Sequence, residues 1–398
     1  MSFISRLAEM FLLFCLLSFG AASPVIGQTW HQYPYSAGLL TFPQDEGRHN
    51  LAPIEWWYVN AEMKGLTTGK TYIFFVSYNK LFQRYSNLLV VEDQLIDGGV
   101  DTGITMATAG KLDVRFVASD HTDHFAQIPG KPFEYALDYQ RGDYSLTCNL
   151  DATKPPHPLG GTGLVRQLPE TSTYYYAQTR LLLEGEVETP SGTESVEGLG
   201  WIDRQWYEFG MSNSKYYGHT WFAIHLDNDV DIAAFQVKDE YGLIPYPLFD
   251  IVYSNGLYVH QDAFDAQPTD FWTDPTSGLE FPITWSLSEM TRQISLDLTA
   301  LVPNQTTYSQ TFGTFWEGGM SVSGWTLGQS VNGVAFVEVA YGPPADDDDD
   351  NDDNDTTDDE TMDEDATDDD ADNDSADDDA TDDNAGDDDY RGSGGCGC

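Results

Sequence analysis

Two carboxylates set among tryptophans have the clearest potential for chemistry in this sequence. Asp203 lies between Trp201 and Trp206, and Glu55 directly precedes Trp56. Apolar surroundings disfavour a carboxylate and keep the acid protonated, while aromatic faces attract a cation. An acid held in this way can protonate an unactivated double bond, so Asp203 and Glu55 are the candidate catalytic residues.

Basic residues in the same stretches support a different interpretation. Arg204 directly follows Asp203, and Arg180 is a second candidate partner for that carboxylate. Arginine stays charged and holds a neighbouring carboxylate ionised, which is wrong for an acid that must donate a proton. It also binds the carboxylate or phosphate of a ligand well. The residues therefore leave two roles open for Asp203: an acid catalyst, or half of a structural ion pair with the tryptophans in the core.

Other catalytic and metal-binding patterns find little support. No Gly-x-Ser-x-Gly motif of the α/β-hydrolase type is present. The one close histidine pair, His121 and His124, lies in a polar stretch typical of a solvated loop. We expect no metal, no cofactor, and only a packing role for the lone Cys148. Glu317 and Glu338, on late predicted strands, are interpreted as structural.

Acidic residues dominate the composition and limit the partners. The formal net charge is −48, and 27 of the 66 acidic residues lie between Asp346 and Asp389. Residues 1–345 still have 39 acidic against 17 basic residues, so this part of the chain repels nucleic acid and anionic lipid at long range. We expect an apolar small molecule as the partner, and no nucleic acid.

The two ends of the chain differ from its middle. Residues 1–28 combine Arg6, the apolar run Phe11–Phe19 and small residues before Pro24, as a secretory signal peptide does. Residues 345–398 are predicted to be a disordered acidic tail, and its terminal Cys-Gly-Cys leaves cell-surface anchoring open. No later segment is long and apolar enough to span a membrane. We therefore expect an exported bacterial protein, in the periplasm or at the cell surface.

The middle of the chain has strand patterns throughout. β-branched and aromatic residues are concentrated in short segments that glycine-rich turns separate. The clearest of these segments are Lys70–Tyr78, Thr173–Glu188, Val230–Val237 and Val331–Tyr341. Many short strands with frequent turns predict an all-β fold.

An internal repeat divides this middle block in two. The pattern of an aromatic strand followed by an apolar strand occurs twice, beginning at Trp56–Ala61 and again at Trp221–Leu226. The repeat predicts two consecutive β-barrel domains, residues 29–200 and 201–344, with a joint near Gly198–Gly218.

Five stretches, in order along the middle block, together resemble a known family. They are His49 with Glu55–Tyr58, Tyr174–Arg180, Gly198–Trp206, Phe315–Gly318 and Gly333–Gly342. This ordered set is similar to the signatures of the AttH and carotenoid 1,2-hydratase family. The resemblance implies two lipocalin-like barrels and a deep apolar pocket. It implies no single reaction, because some members hydrate a carotenoid alkene, others act on plant phenolics or steer cyclisations, and many are called predicted secreted hydrolases.

One departure from the family pattern shifts the expectation from catalysis to binding. Hydratase-like members have a histidine where this sequence has Arg204, which cannot shuttle a proton near neutral pH. The leading hypothesis is an exported lipocalin-like protein that binds a lipid or isoprenoid, with Asp203 and Arg204 as a polar pair. The expected ligand-binding residues are Trp56, Trp57, Tyr58, Tyr176, Arg180, Trp201, Arg204, Trp206 and Trp221. A carotenoid-hydratase-type hydro-lyase or secreted hydrolase with an acidic proton donor is the alternative, and a non-catalytic cell-surface scaffold is the third hypothesis.

Overall fold

A computed structural model describes residues 30–80, 82–210, 213–309 and 313–342 of the chain. The expected signal peptide and acidic tail lie outside the described residues. Within them the chain forms 25 β-strands and two short 3₁₀ turns, Gln44–Glu46 and Leu159–Gly161. The all-β prediction is therefore confirmed.

The first sheet contains thirteen antiparallel strands and follows a small hairpin. The hairpin strands are β1 (Tyr35–Ala37) and β2 (Leu40–Phe42). The sheet consists of β3 (Ile54–Gly65), β4 (Thr71–Asn79), β5 (Gln83–Val90), β6 (Leu95–Thr102), β7 (Ile104–Ala107), β8 (Asp113–Val117), β9 (Thr122–Gln127), β10 (Glu134–Arg141), β11 (Tyr144–Ala152), β12 (His157–Pro158), β13 (Leu164–Leu168), β14 (Thr171–Thr189) and β15 (Gly192–Tyr207). Its strand order is β6-β5-β4-β3-β15-β14-β11-β10-β9-β8-β7, with β12 and β13 paired to β14.

The second sheet contains ten antiparallel strands. They are β16 (Tyr216–Leu226), β17 (Asp231–Asp239), β18 (Leu248–Val252), β19 (Tyr258–Gln261), β20 (Asp265–Thr273), β21 (Glu280–Glu289), β22 (Ile294–Ala300), β23 (Thr306–Ser309), β24 (Gly313–Thr326) and β25 (Gln329–Tyr341). Their order is β19-β18-β17-β16-β25-β24-β22-β21-β20, with β23 paired to β24.

The two barrel-like sheets share one topology. Reading outward from β3 and from β16, the strands β4, β5 and β6 correspond to β17, β18 and β19. In the other direction β15, β14, β11, β10 and β9 correspond to β25, β24, β22, β21 and β20. The repeated segments Trp56–Ala61 and Trp221–Leu226 lie in the first strand of each unit. The internal repeat is thus two copies of one barrel design.

The change from the first sheet to the second comes later than the expected boundary at residue 200. β15 belongs to the first sheet as far as Tyr207, so residues 201–207 are part of the first barrel. The change of sheet, between Tyr207 and Tyr216, falls within the expected joint Gly198–Gly218, but Gly198 and Gly200 themselves lie inside β15. At Gly198 a Cβ would collide with the backbone of Glu62 on the paired strand, so this glycine permits close strand contact.

Alternation along the strands creates three apolar layers. One layer fills the first barrel and includes Trp57, and another fills the second barrel and includes Trp316. The third layer lies between the barrels and combines residues of both, such as Trp201 and Phe336. Because successive side chains of a strand point to opposite faces, each central strand contributes to two layers.

Candidate functional site

A cleft in the layer between the barrels is the candidate functional site. Its outer part is a mostly apolar cavity of about 520 Å³, and an inner cavity of about 50 Å³ reaches Asp203. The outer volume is typical of sites for small organic molecules. The two parts share the lining residues Trp56, Tyr58, Phe209, His219 and Glu338.

Asp203 is buried at the inner end of this cleft. On β15 it is paired in register with Tyr58 of β3 and Ala177 of β14. The Tyr175 hydroxyl donates to its Oδ2 at 2.5 Å, and the Trp201 indole N–H donates to its Oδ1 at 2.7 Å. Burial raises the pKa of Asp203 to about 7, although both hydrogen bonds act to lower it. A large fraction of Asp203 is therefore protonated at neutral pH.

Arg204 does not pair with Asp203, contrary to the sequence-based hypothesis. Because side chains alternate along β15, Arg204 points into the first barrel while Asp203 faces the cleft. In the barrel the guanidinium donates to three backbone carbonyls and, at 2.9 Å, to Glu55 Oε1. It also lies 4.3 Å from the centre of the Trp57 ring. Arg204 is therefore neither the neighbour that would keep Asp203 ionised nor a group that faces a ligand in the cleft.

Glu55 belongs to this ion-pair group inside the barrel. Besides Arg204, His49 Nδ1 lies 2.8 Å from its Oε1 and Lys80 Nζ lies 4.0 Å from its Oε2. Burial acts to raise the pKa of Glu55, but the hydrogen bond from His49 and the charge of Arg204 outweigh it, and the pKa is lowered. Glu55 borders the outer cavity as an anion. Its environment does not match the protonated acid expected from the sequence.

The remaining predicted ligand-binding residues fall into two groups, according to whether their side chains face the cleft or the interior of the first barrel. The cleft contains Trp56, Tyr58 and Trp221, with Trp201 bonded to Asp203 at its inner end. The interior of the first barrel contains Trp57, Tyr176 and Trp206. Each of these three directly neighbours, along the chain, a residue that faces the cleft. The period of two along a strand separates them.

Arg180 joins the two barrels and does not line the cleft. Its Nε and Nη2 donate to Asp231 Oδ1 at 3.0 and 2.8 Å, and Lys154 Nζ donates to Asp231 Oδ2 at 2.6 Å. Burial disfavours the Asp231 carboxylate, but the hydrogen bond from His225 and the nearby cations lower its pKa. This buried group holds the barrels together and keeps the walls of the cleft in place.

Two carboxylates interpreted as structural from the sequence line the cleft. Glu317 of β24 and Glu338 of β25 face each other in register, and both border the outer cavity. Burial, and then the charge of Glu338, raise the pKa of Glu317 well above its ordinary range. Glu338 also borders the inner cavity, with His219 Nε2 at 3.2 Å from its Oε1. The sequence contained one usable signal, two glutamates on predicted strands, but not the pairing of those strands.

The buried polar atoms of the cleft that lack a hydrogen-bond partner among the described residues include Gln205 Nε2, in the inner cavity, and Glu317 Oε1, in the outer one. Buried polar groups are nearly always hydrogen-bonded in folded proteins. The cleft therefore offers hydrogen bonds to a polar group of a bound molecule.

The His121–His124 stretch is not the solvated loop that we expected. Thr122–Gln127 forms β9, where Asp123 is fully buried and pairs with Arg84. His121 contacts Asp120, and His124 contacts Asp113. In the described part of the chain, no group of three or more histidine, cysteine, aspartate or glutamate side chains is arranged to hold a metal ion.

Fold and cleft together define a two-barrel β-protein with a mostly apolar cleft between its barrels. The AttH-like family model matches residues 91–342, and the chain belongs to the AttH-like family. The resemblance inferred from the five motifs is thereby confirmed. No curated protein matches the chain. No helix in the described ranges has the length and apolarity needed to cross a membrane.

Solved structures share the fold at low sequence identity. A protein described as an AttH from Nitrosomonas europaea is 21% identical and has a TM-score of 0.67, over 79% of this chain and 99% of its own. Kievitone hydratase from Nectria haematococca is 16% identical with a TM-score of 0.65, over 78% and 98%. CghA is 12% identical with a TM-score of 0.52, over 79% and 97%.

Proposed function

We propose that the protein is a hydratase-type enzyme that adds water to a double bond of a neutral, apolar small molecule. The observation that carries the proposal is the state of Asp203. It is a buried acid with a pKa of about 7, its hydrogen-bond partners Tyr175 and Trp201 are neutral, and it ends an apolar cleft. Protonating an isolated alkene needs a proton donor in a dry site.

The reaction begins with transfer of the Asp203 proton to one alkene carbon. A C–H bond forms, and the neighbouring carbon becomes a cation. The aromatic rings that line the inner cavity stabilise this cation: Trp56, Tyr58, Tyr175 and Trp221. Water then forms a C–O bond to the cation and loses a proton, leaving a neutral alcohol. Tyr175 and Trp201 stabilise the carboxylate that remains after the first step, since they donate to its two oxygens.

Charge in the cleft favours a neutral substrate. Four carboxyl groups line it, from Asp203, Glu55, Glu317 and Glu338, and these repel an anionic headgroup. Lys80 borders the outer cavity, but its ammonium donates to the carbonyls of His49 and Ala52 at 2.7 and 2.6 Å. An uncharged isoprenoid or phenolic alkene fits this distribution better than a fatty acid or a phospholipid.

The size and lining of the outer cavity also support a second candidate, binding without chemistry. A volume of about 520 Å³ with mainly apolar walls suits a lipid or isoprenoid carrier. The name of kievitone hydratase supports the enzymatic proposal, although only the fold is shared at 16% identity. For either function we propose a location outside the cytoplasm, because residues 1–28 resemble a secretory signal.

Asp203→Asn distinguishes the enzyme from the binder. Purified full-length protein is incubated with farnesol, squalene and a prenylated flavonoid, and gain of one water is followed by mass spectrometry. General acid catalysis contributes about 10²–10⁴-fold, so we expect Asp203→Asn to reduce turnover by about 100-fold or more while binding persists. Glu197→Gln, exposed on the same strand, is the matched control. Binding without turnover in the wild type would contradict the hydratase and leave the carrier.

A further inference from the structure

A second acid-base group faces Asp203 across the cleft, on the other barrel. Asp203 comes from β15 of the first barrel, whereas Glu338 comes from β25, the corresponding strand of the second. Both side chains line the inner cavity, whose volume of about 50 Å³ exceeds the roughly 30 Å³ that a water molecule occupies. A water or hydroxyl held there is enclosed by a cavity that both carboxyl groups line.

The neighbours of Glu338 suit it to act as a base. Glu317, directly opposite on β24, is fully enclosed, and burial and the charge of Glu338 raise its pKa, although the hydrogen bond from Tyr58 acts to lower it. Glu338 keeps 29% of its side chain exposed. Two carboxyl groups placed this close do not both ionise easily, and the enclosed Glu317 is the one whose pKa is raised.

His219 holds Glu338 in place. The Tyr216 hydroxyl lies 2.6 Å from His219 Nδ1, and His219 Nε2 lies 3.2 Å from Glu338 Oε1. A neutral imidazole whose Nδ1 accepts a hydrogen bond from the Tyr216 hydroxyl carries its own proton on Nε2, towards the carboxylate. In the same cavity the amide Nε2 of Gln205, unpartnered among the described residues, can donate to the oxygen of a bound water.

We infer that Glu338 is the base that takes the proton from the adding water, opposite the acid Asp203. The inference rests on the proposed hydratase function. The water oxygen forms the C–O bond, one O–H bond breaks with its electron pair kept by oxygen, and the proton passes to a Glu338 oxygen. Glu338 then releases this proton at the open side of the cleft, and Asp203 takes one up from solvent. Each barrel thus supplies one half of the acid-base pair.

Deuterium exchange separates the two halves of the reaction. In D₂O, protonation of the alkene by Asp203 and its reversal incorporate deuterium into the substrate even when water does not add. With the probes farnesol, squalene and the prenylated flavonoid, we expect Glu338→Gln to keep exchange and binding but to form alcohol about 100-fold more slowly. Asp203→Asn should lose both exchange and alcohol formation. Glu338→Asp, which keeps a carboxylate, should recover part of the alcohol formation.

The controls make each failure recognisable. Asp297→Asn, an exposed acid of β22 in the second barrel, should match the wild type. If Glu338→Gln forms alcohol at the wild-type rate, the inference is overturned. It is also overturned if exchange and alcohol formation are lost together, because Glu338 would then act through Asp203 or through the fold. If Glu338→Gln does not fold by circular dichroism, the rate of folded Glu338→Asp decides, because an unchanged rate overturns the inference. A wild type that neither exchanges nor hydrates any probe contradicts the proposed function itself.

Discussion

Glu55 and Asp203 occupy two regions on opposite sides of one sheet, and their states differ. Both are buried carboxyl groups next to tryptophans, and they lie on the adjacent strands β3 and β15. Glu55, at the barrel interior, meets Arg204 and His49, and its pKa is lowered. Asp203, in the cleft, meets only neutral donors in its hydrogen bonds, and its pKa is raised to about 7.

This difference shows that burial by itself does not set the state of an acid. Desolvation is the largest cause for both carboxyl groups, and it acts in the same direction on both. The hydrogen bond from His49 and the charge of Arg204 together reverse its effect for Glu55. Asp203 is a direct chain neighbour of that cation but lies on the other face of the sheet. A carboxyl group with a raised pKa and one with a lowered pKa therefore coexist on adjacent strands of one sheet.

Removal of Arg204 should have the largest effect on stability. In Arg204→Met the carboxylate of Glu55 stays buried beside His49 but loses its guanidinium, and three backbone carbonyls lose a donor. Loss of one partner of a buried ion pair costs about 3–5 kcal/mol, and we expect this decrease in the free energy of unfolding. Urea denaturation measures it, with exposed Arg115→Met as the control. A decrease no larger than that of the control would mean that the barrel does not depend on this pair.

The two carboxylates should respond to pH in opposite directions. Because the folded-state pKa of Asp203 is raised from 3.8 to about 7, its contribution to stability is complete below about pH 4 and is lost as the pH rises towards 7. For Glu55 the folded-state pKa is lowered, so its contribution is present above its ordinary pKa and is lost as the pH falls through the folded value. Unfolding free energies of Asp203→Asn and Glu55→Gln, measured against wild type from about pH 2 to 8, test both.

Asp203→Asn should remove part of the decline in stability between about pH 4 and 7, whereas Glu55→Gln should destabilise most at neutral pH. Parallel curves for the two variants would show that the two sides of the sheet do not differ as described.

Tyr175→Phe should have a smaller effect, confined to the cleft. Its hydroxyl lowers the pKa of Asp203, so its removal raises that pKa and moves the alkaline limit of activity to higher pH. Loss of one hydrogen bond to the carboxylate that forms when Asp203 gives up its proton should slow turnover about tenfold. A pH–rate profile measures both changes, and Tyr241→Phe, largely exposed in a turn, is the control. A shift of the limit to lower pH would contradict the assignment of Asp203 as the acid.

Much of the fold follows from local sequence signals. β-branched and aromatic segments predicted strands close to those observed. The predicted strand Lys70–Tyr78 begins one residue before β4 and ends one residue before its end, and Thr173–Glu188 lies within β14. The repeat around Trp56 and Trp221 predicted two similar units, since the same hairpin begins both sheets. The boundary was misplaced because glycine usually marks a turn, whereas Gly198 serves close strand contact inside β15.

Less of the site could be predicted. The tryptophans around Asp203 correctly indicated an apolar setting, and Trp56, Tyr58 and Trp221 do line the cleft. The position of Glu317 and Glu338 in the cleft could not be predicted. It results from the pairing of β24 with β25 and from the first barrel packed against them. A single sequence without homologues contains no direct record of such long-range pairs.

The sequence by itself determined the strand-rich composition, the repeat and the presence of buried acids among aromatic rings. These are local properties, and side-chain shape and polarity are enough to produce them. Only the tertiary structure decided which face of each strand meets the cleft, and with it the partner of each acid. Arg204 is one residue from Asp203 along the chain, yet the alternation of a strand sends the two side chains to opposite sides of a sheet. The cleft exists only where the outer faces of two barrels meet, and no single strand contains that information.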